Sequence, residues 1–199
     1  MIDRSIPYYN LILKCTKICT TPVSLPEGYS FKMYSVGDEK HWAKLEYEIS
    51  DFSSVEEAET YFKTNYCNQI DELKKRCVFV VDAYGDVIGS CIAWHDLKDN
   101  YTVASLHWLV VSPGHQGKHI GVALCQKVMQ IFNEHDETPV YIHTQPWSYK
   151  ATLLYIKLGF KIQKTDTFSH YKNQYKKAIK TLENVLSESQ LNQIILSSE

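Results

Sequence analysis

The stretch from Ser105 to Leu124 constrains the fold more than any other part of the chain. Its first half has the apolar content and alternation of a strand, which Pro113 ends. Its second half carries apolar residues at helical spacing from Ile120 to Asn133. The loop region holds Gly114, Gly117 and Gly121. This order directs backbone N–H groups and the positive end of a helix dipole to one point, which suits a phosphate group.

Alternation along the strand assigns its side chains to two faces. One face is predicted to carry Leu106, Trp108 and Val110, and the other to carry His107, Leu109 and Val111. His107 is therefore expected to point away from Trp108. Two interpretations of His107 stay open at this point: a satisfied histidine on an inner sheet face, or a titrating group beside a ligand.

Composition limits the class of protein. The chain has 199 residues, of which 44% are hydrophobic, and this predicts one ordinary globular domain. A net charge of −2 argues against nucleic acid as the main partner, because a phosphate footprint needs a basic surplus. No apolar run is long enough to span a membrane, and residues 1–7 lack the pattern of a secretory signal. We therefore expect a cytoplasmic protein with no membrane partner.

The six cysteines are expected to be reduced thiols in a chain of this length without a secretory signal. Cys77, Cys91 and Cys125 lie in apolar periodic segments, which favours buried packing. Cys15 and Cys19 have no second pair to complete a zinc site, and no metal is expected.

Periodicity and turn residues predict the remaining elements. Strands are expected at 7–18, 29–35, 77–83, 87–94, 140–144 and 160–168, with a polar loop at 95–100. One helix should start at 35–38 and bury Trp42, Leu45 and Ile49. A second should start at Ser53–Ser54 and carry Ala58, Tyr61 and Phe62. Helices are also expected at 171–187 and 189–196.

The loop residues Gln116–Gly121 resemble the acetyl-CoA signature of the GNAT superfamily, the acyl-CoA-dependent N-acetyltransferases. That signature follows a strand and reads Gln or Arg, two residues, Gly, one residue, and Gly or Ala. The initial Gln116 and the final Gly121 fit, while His119 stands where the family has its first glycine. We expect His119 to take right-handed helical angles and to point its ring away from the pyrophosphate or onto a phosphate of CoA.

A second segment, 146–160, resembles the other GNAT hallmark, Asn-x-x-Ala-x-x-Leu-Tyr-x-x-x-Gly-Phe. Ser148 replaces the Asn and is expected to cap the helix, while Tyr155 and Gly159 match the family pattern. The resemblance implies an α+β fold, in which helices flank a central, mixed but mostly antiparallel twisted sheet. It also implies a GNAT domain at 1–170, and we expect 171–199 to form a C-terminal helical extension packed on it.

The resemblance implies direct attack of an amine on the thioester of acetyl-CoA, the cosubstrate. Backbone N–H groups would hold the thioester and the pyrophosphate, with Ser148 near the pantetheine. The implied cofactor-binding residues are Leu109, Val110, Val111, Gln116, Gly117, Lys118, His119, Ile120, Gly121 and Ser148. Tyr155 matches the family's tyrosine that protonates the leaving thiolate. His107, placed as in the arylalkylamine N-acetyltransferases, is the candidate base.

Alternatives to these assignments stay open from the sequence. Tyr155 could be a packed tyrosine at the core edge, and water could replace His107 as base. The expected acceptor is a small-molecule or peptide amine, with Tyr47, Asp51, His95 and Asp96 as loop candidates for its recognition. The chain could instead be a catalytically silent CoA-binding sensor, or it could transfer a longer acyl group. The C-terminal tail could also form the contact of a homodimer.

Overall fold

The computed structural model describes residues 3–19 and 22–199. The strands within these residues are β1 Leu11–Cys15, β2 Ser30–Met33, β3 Cys77–Val81, β4 Val87–Lys98, β5 Tyr101–Val111, β6 Val140–Thr144 and β7 Lys161–Ile162. The helices are α1 Glu39–Glu48, α2 Val55–Tyr66, α3 Ile70–Arg76, α4 Ile120–Glu134, α5 Tyr149–Lys157, α6 Tyr175–Leu182 and α7 Glu188–Leu196. Short 3₁₀ turns occupy Cys67–Gln69, Pro113–His115 and Pro146–Ser148.

The strands form one mixed sheet in the order β2-β3-β4-β5-β6-β1-β7. Strands β5 and β6 pair in parallel, with Ala104 opposite Val140. The pairs β2–β3, β3–β4, β1–β6 and β1–β7 are antiparallel. The predicted fold class, a mixed and mostly antiparallel sheet flanked by helices, is confirmed.

The described residues divide into two compact units, and strands β4 and β5 run through both. The first unit holds residues 22–93 and 107–131. Its core includes the α1–α2 helix pair, whose buried face carries Trp42, Ala43 and Leu45 from α1. Helix α4 buries the predicted stripe of Ala123, Leu124, Val128, Ile131 and Phe132. Periodicity alone predicted these helices because each buries one apolar face.

The second unit holds residues 3–19, 94–106 and 132–199. Strand β1 lies between β6 and β7, with Leu13 opposite both Ile142 and Ile162. Helix α6 packs on β1, and α7 packs on α5. The Glu199 N–H donates to the Ile162 carbonyl at 2.9 Å, so the end of the described chain pairs with the outer edge of β7.

Several predicted elements were wrong in extent. The strand expected at 7–18 spans only Leu11–Cys15, and Ile49, expected on the buried face of α1, lies half-buried just after that helix. The polar segment 95–100 is not a loop, because β4 continues to Lys98 and the turn is confined to Asp99–Asn100. The strand expected at 160–168 contains only Lys161 and Ile162, because the next residues turn away. The helix expected at 171–187 spans only Tyr175–Leu182, and Ser187 begins α7 with a capping box to Gln190. Within the described ranges, no helix combines the length and apolar character needed to cross a bilayer.

Candidate functional site

Strand β5 is not regular at its carboxyl end, because Trp108 has a φ of +52°. A positive φ in a bulky residue interrupts the two-residue alternation of side chains. The rings of His107 and Trp108 consequently contact the same helix, α2, through Tyr66 and Tyr61 respectively. The prediction that these two neighbours point away from each other was wrong, because alternation assumes an unbroken strand.

His107 is half-buried, and its Nδ1 lies 2.8 Å from the hydroxyl of Tyr66. The backbone carbonyl of His107 accepts from the Cys91 thiol at 3.7 Å. Tyr66 itself is buried on α2, where it fixes the imidazole ring. Sequence analysis missed Tyr66, although its position eight residues after Ala58 and four after Phe62 continues the buried stripe of α2.

The loop between β5 and α4 contains two residues with left-handed backbone, Gly117 at φ +78° and His119 at φ +63°. The expectation of right-handed angles for His119 was therefore wrong. His119 takes the conformation for which glycine is usual, at a steric cost of about 1 kcal/mol. Its carbonyl accepts from the Ala123 N–H at 3.1 Å, so α4 begins directly after it. The first N–H groups of α4, from Ile120 onward, have no partner within the helix, which is the general property of a helix start.

Side chains around this loop hold it in place. The Gln116 amide donates to the Val111 carbonyl at 2.9 Å, which fastens the loop to the end of β5. The hydroxyl of Tyr29 lies 2.9 Å from Nδ1 of His115 and accepts from the Lys118 ammonium at 3.0 Å. Sequence analysis missed Tyr29 because it is distant in the chain and belongs to no motif. The loop therefore presents a fixed backbone with two neighbouring basic side chains.

Helix α5, in the second unit, carries the other predicted residues. Ser148 precedes α5 but does not cap it, because its Oγ accepts from the Gln145 amide at 3.0 Å instead. The predicted cap was therefore wrong. Gly159 has the expected left-handed backbone, with φ +95°, and the Phe160 N–H closes the helix on the Tyr155 carbonyl at 3.1 Å. The Tyr155 side chain is buried, and its ring lies 6.0 Å from that of Phe160.

The predicted site residues thus fall into two sets. The first unit brings together His107, Leu109, Val110, Val111 and the loop residues Gln116, Gly117, Lys118, His119, Ile120 and Gly121. The second unit contains Ser148 and Tyr155. Val110 is buried, while Leu109 and Val111 are half-buried. Gln116, Gly117, Lys118 and His119 are exposed, so their backbone and side chains are open to a ligand.

Helix α1 adds a buried acid that the sequence analysis missed. The side chain of Glu46 is 1% exposed, and its Oε1 has no hydrogen-bond partner. Burial raises the pKa of this carboxyl well above its ordinary value, and the nearby Asp51 carboxylate raises it further. The available signal was a glutamate one helical turn after Trp42, on the apolar face of a predicted helix.

The loop candidates for substrate recognition differ in position. Asp51 does lie in a loop, and its N–H donates to the Glu46 carbonyl at 3.0 Å. Tyr47 is an exposed residue of α1, and His95 and Asp96 belong to β4. His95 Nε2 lies 3.0 Å from the Glu137 carboxylate. Across residues 3–19 and 22–199, no three His, Cys, Asp or Glu side chains are grouped to hold a metal ion.

Comparison with known proteins identifies related sequences and folds. Residues 41–160 match the model of the acetyltransferase (GNAT) family. A GCN5-related N-acetyltransferase from Sphaerobacter thermophilus superposes with a TM-score of 0.58 at 17% identity. That alignment covers 78% of this chain and 50% of the other, so the present chain spans half the length of that relative.

Two further solved structures share the fold. Glucosamine-6-phosphate N-acetyltransferase from Arabidopsis thaliana has a TM-score of 0.54 at 15% identity, covering 73% of this chain and 99% of that one. A chain of the NatC complex bound to Gag peptide and CoA has a TM-score of 0.50 at 16% identity, covering 65% and 82%. No curated protein matches the sequence. At these identities the solved structures establish the fold and leave the substrate open.

Proposed function

Because the chain belongs to the acetyltransferase (GNAT) family, we propose that it transfers the acetyl group of acetyl-CoA to a primary amine of a small molecule or peptide. The observation that carries this proposal is the loop between β5 and α4. Left-handed backbone at Gly117 and His119 precedes the first free N–H groups of a long helix. Such a concave run of N–H groups fits an anion, and a pyrophosphate supplies one.

The reaction forms one bond and breaks another. The neutral amine nitrogen attacks the acetyl carbonyl carbon, and the carbon–sulfur bond of the thioester breaks. The products are an N-acetyl amine and the CoA thiol, after the amine has lost a proton and the thiolate has gained one. The chain must therefore orient the thioester, stabilise negative charge on its oxygen, and move these protons.

Backbone N–H groups at the end of β5, from Leu109 to Val111, are proposed to orient the thioester and its oxyanion. They are part of the folded backbone, so they need little reorganisation during the reaction. The loop residues from Gln116 to Gly121 are proposed to hold the pyrophosphate. The bond between the Gln116 amide and the Val111 carbonyl supports both roles, because it couples the loop to the strand.

His107 is the proposed base, and Tyr66 is its positioning residue. The Tyr66 hydroxyl lies 2.8 Å from Nδ1 of the imidazole and holds the ring that is proposed to take the ammonium proton, directly or through a water. His107→Ala is expected to remove the acidic limb of the profile of kcat/KM against pH. Tyr66→Phe should keep that limb but lower the maximum of kcat/KM, because the imidazole of His107 is still present and is less well oriented.

Tyr155 is the proposed acid that protonates the thiolate of CoA. A phenol donates a hydrogen bond or proton without being ionised at neutral pH, since its ordinary pKa is about 10. Its match to the family motif and its ordered place on α5 support this role. Ser148, half-buried before the same helix, is proposed to face the pantetheine.

The proposal is tested by following thiol release from acetyl-CoA across a panel of amines, with CoA binding measured by calorimetry. The panel holds polyamines, aralkylamines, amino sugars, amino acids and short peptides. Tyr155→Phe should lower kcat by about a hundredfold and leave the Kd for CoA nearly unchanged. Tyr101→Phe, an exposed tyrosine, is the matched control. Tight CoA binding with no release from any amine would contradict catalysis and favour a CoA sensor.

A further inference from the structure

The buried carboxyl of Glu46 has a distinct setting in the first unit. Trp42 lies one turn before Glu46 on the same helix face. After the helix, the N–H of Asp51 donates to the main-chain carbonyl of Glu46. The next residue, Phe52, places its ring 5.8 Å from that of Trp42. Glu46 therefore has Trp42 one helical turn before it and the loop of Asp51 and Phe52 directly after its helix.

Trp42 is also one of four aromatic rings that pack on one another, which we term the ring cluster: Trp42, Phe52, Tyr61 and Trp108. Their centroids are mutually separated by 5.3 to 6.3 Å. Trp42 is fully buried, while the other three rings are half-buried and meet solvent. Aromatic faces attract cations, by about 0.5 kcal/mol when exposed and about 2 kcal/mol when desolvated.

Two polar atoms in this region lack a partner. They are Oε1 of Glu46, an acceptor, and Nε1 of Trp42, a donor. A buried carboxyl normally has a cation or several donors, because taking its charge out of water is otherwise costly. The charged group that acts on Glu46 is instead another acid, Asp51. In the protein alone, burial and Asp51 therefore favour the neutral form of Glu46, whereas a cation bound beside it would favour the carboxylate.

We propose that Glu46 and the ring cluster bind the ammonium group of the acceptor, and that this acceptor is a cationic amine without an anionic group. The inference rests on the proposed function and narrows its substrate class. Aralkylamines and polyamines fit these requirements, since their cations match both the carboxylate and the ring faces. Amino acids and phosphorylated amino sugars do not, because the Asp51 carboxylate repels their anionic groups and the ring faces attract only cations.

The bend at Trp108 gives this arrangement a structural basis. Its positive φ turns the indole onto Trp42 and Tyr61, next to the strand residues proposed to hold the thioester. A bulky residue in this backbone region carries strain of about 1 kcal/mol or more. An ammonium held against the ring of Trp108 lies beside His107, which is one residue away in the strand and is the proposed base.

The test uses benzyltrimethylammonium chloride, an aromatic cation that has no N–H group and so does not become acetylated. Its binding to the full chain is measured by titration calorimetry, with benzyl alcohol as the neutral comparison. We expect the cation to bind and benzyl alcohol to bind at least tenfold more weakly. Glu46→Gln should raise the Kd of the cation at least tenfold. Glu56→Gln, an exposed glutamate of α2, is the matched control and should leave it unchanged.

Trp108→Leu is a second variant that keeps the carboxyl and removes one ring, and it should raise the Kd severalfold. Equal affinity for the cation and benzyl alcohol, or an unchanged Kd in both variants, would overturn the inference. So would the absence of binding, which is the result expected if a water alone satisfies Glu46 and Trp42.

Acetyl transfer is read separately as thiol release with benzylamine. Glu46-dependent binding of the cation without thiol release from any amine supports this site and contradicts the proposed function. Thiol release without binding of the cation supports the function and overturns the site.

Discussion

Two acidic side chains in different parts of the molecule have opposite surroundings. Asp166, in the second unit, accepts from Lys14 and Tyr141 at 3.0 Å and also pairs closely with Lys98. Glu46, in the first unit, has a buried oxygen without a partner. Burial raises the pKa of Asp166, but the bonds from the two lysines and Tyr141 outweigh it and lower the pKa to about 2. The pKa of Glu46 shifts in the other direction.

These two acids separate a group whose bonds are complete in the protein alone from a group that the protein leaves unsatisfied. The Asp166 network joins β1, β4 and β6 to the segment after β7, so its bonds are already made in the protein alone. Glu46, and His119 in its strained conformation, lower the stability of the first unit. Binding sites often keep such unsatisfied or strained groups because ligand binding relieves them.

The largest expected effect comes from removing the satisfied acid. Asp166→Asn leaves the ammonium groups of Lys14 and Lys98 without a carboxylate in a region that is about a quarter exposed. We expect the free energy of unfolding to fall by about 2 kcal/mol, measured by urea denaturation at pH 7. Asp71→Asn, which removes a largely exposed acid, should change it by less than about 0.5 kcal/mol. Equal losses in the two variants would contradict a structural role for the Asp166 network.

The two acids also predict opposite dependences on pH. Because the pKa of Asp166 is lowered, its contribution is present above pH 3.8 and is lost as the pH falls toward about 2. That loss is about 1 to 2 kcal/mol after allowance for solvent screening. Asp166→Asn should abolish this part of the acid transition in urea titrations from pH 5 to about 2. A variant that loses stability in acid as steeply as the wild type would contradict the assignment.

Removing the unpartnered acid should have the reverse effect. The raised pKa of Glu46 means that its favourable contribution is complete below pH 4.5 and declines as the pH rises. Glu46→Gln is therefore expected to be more stable than the wild type at pH 8, by about 1 kcal/mol, with the difference shrinking toward pH 4.5. Thermal unfolding at both pH values measures this, with Glu56→Gln as control. A destabilised Glu46→Gln at pH 8 would show that the carboxylate has a partner in the folded chain.

The smallest effect is expected in the loop before α4. His119→Gly relieves the steric cost of a φ of +63° but adds backbone entropy to the unfolded state, so stability should rise by about 0.5 kcal/mol at most. The Kd for CoA, measured by calorimetry, should stay the same or fall slightly, because the loop conformation is retained. Weaker CoA binding in this variant would mean that the imidazole itself contacts the ligand.

Sequence patterns were sufficient for much of the fold. The stripe of α4 and the presence of strands before and after it in the chain follow from apolar periodicity, because burial of one face decides these elements. The left-handed Gly159 was also predictable, since a helix end followed by Phe160 calls for that conformation.

The site was less predictable, because its details depend on contacts between distant residues. No local sequence pattern predicts the bend at Trp108. The same holds for the contact between Tyr66 and His107, because these two residues are 41 positions apart. His119 takes a positive φ that is unfavourable for any residue with a side chain. The geometry of the loop therefore overrides the backbone preference of the residue. The assignments of catalytic and CoA-binding residues stay predictions.

The most direct measurement is the kcat/KM for acetyl transfer to benzylamine and to glucosamine 6-phosphate, followed as thiol release from acetyl-CoA in the wild type and in Glu46→Gln. We predict turnover of benzylamine, little with the phosphorylated sugar, and a loss of at least tenfold for benzylamine in the variant. Preference for the phosphorylated sugar would contradict the assigned substrate class. No thiol release from either amine, or from any other in the panel, would contradict the enzyme itself.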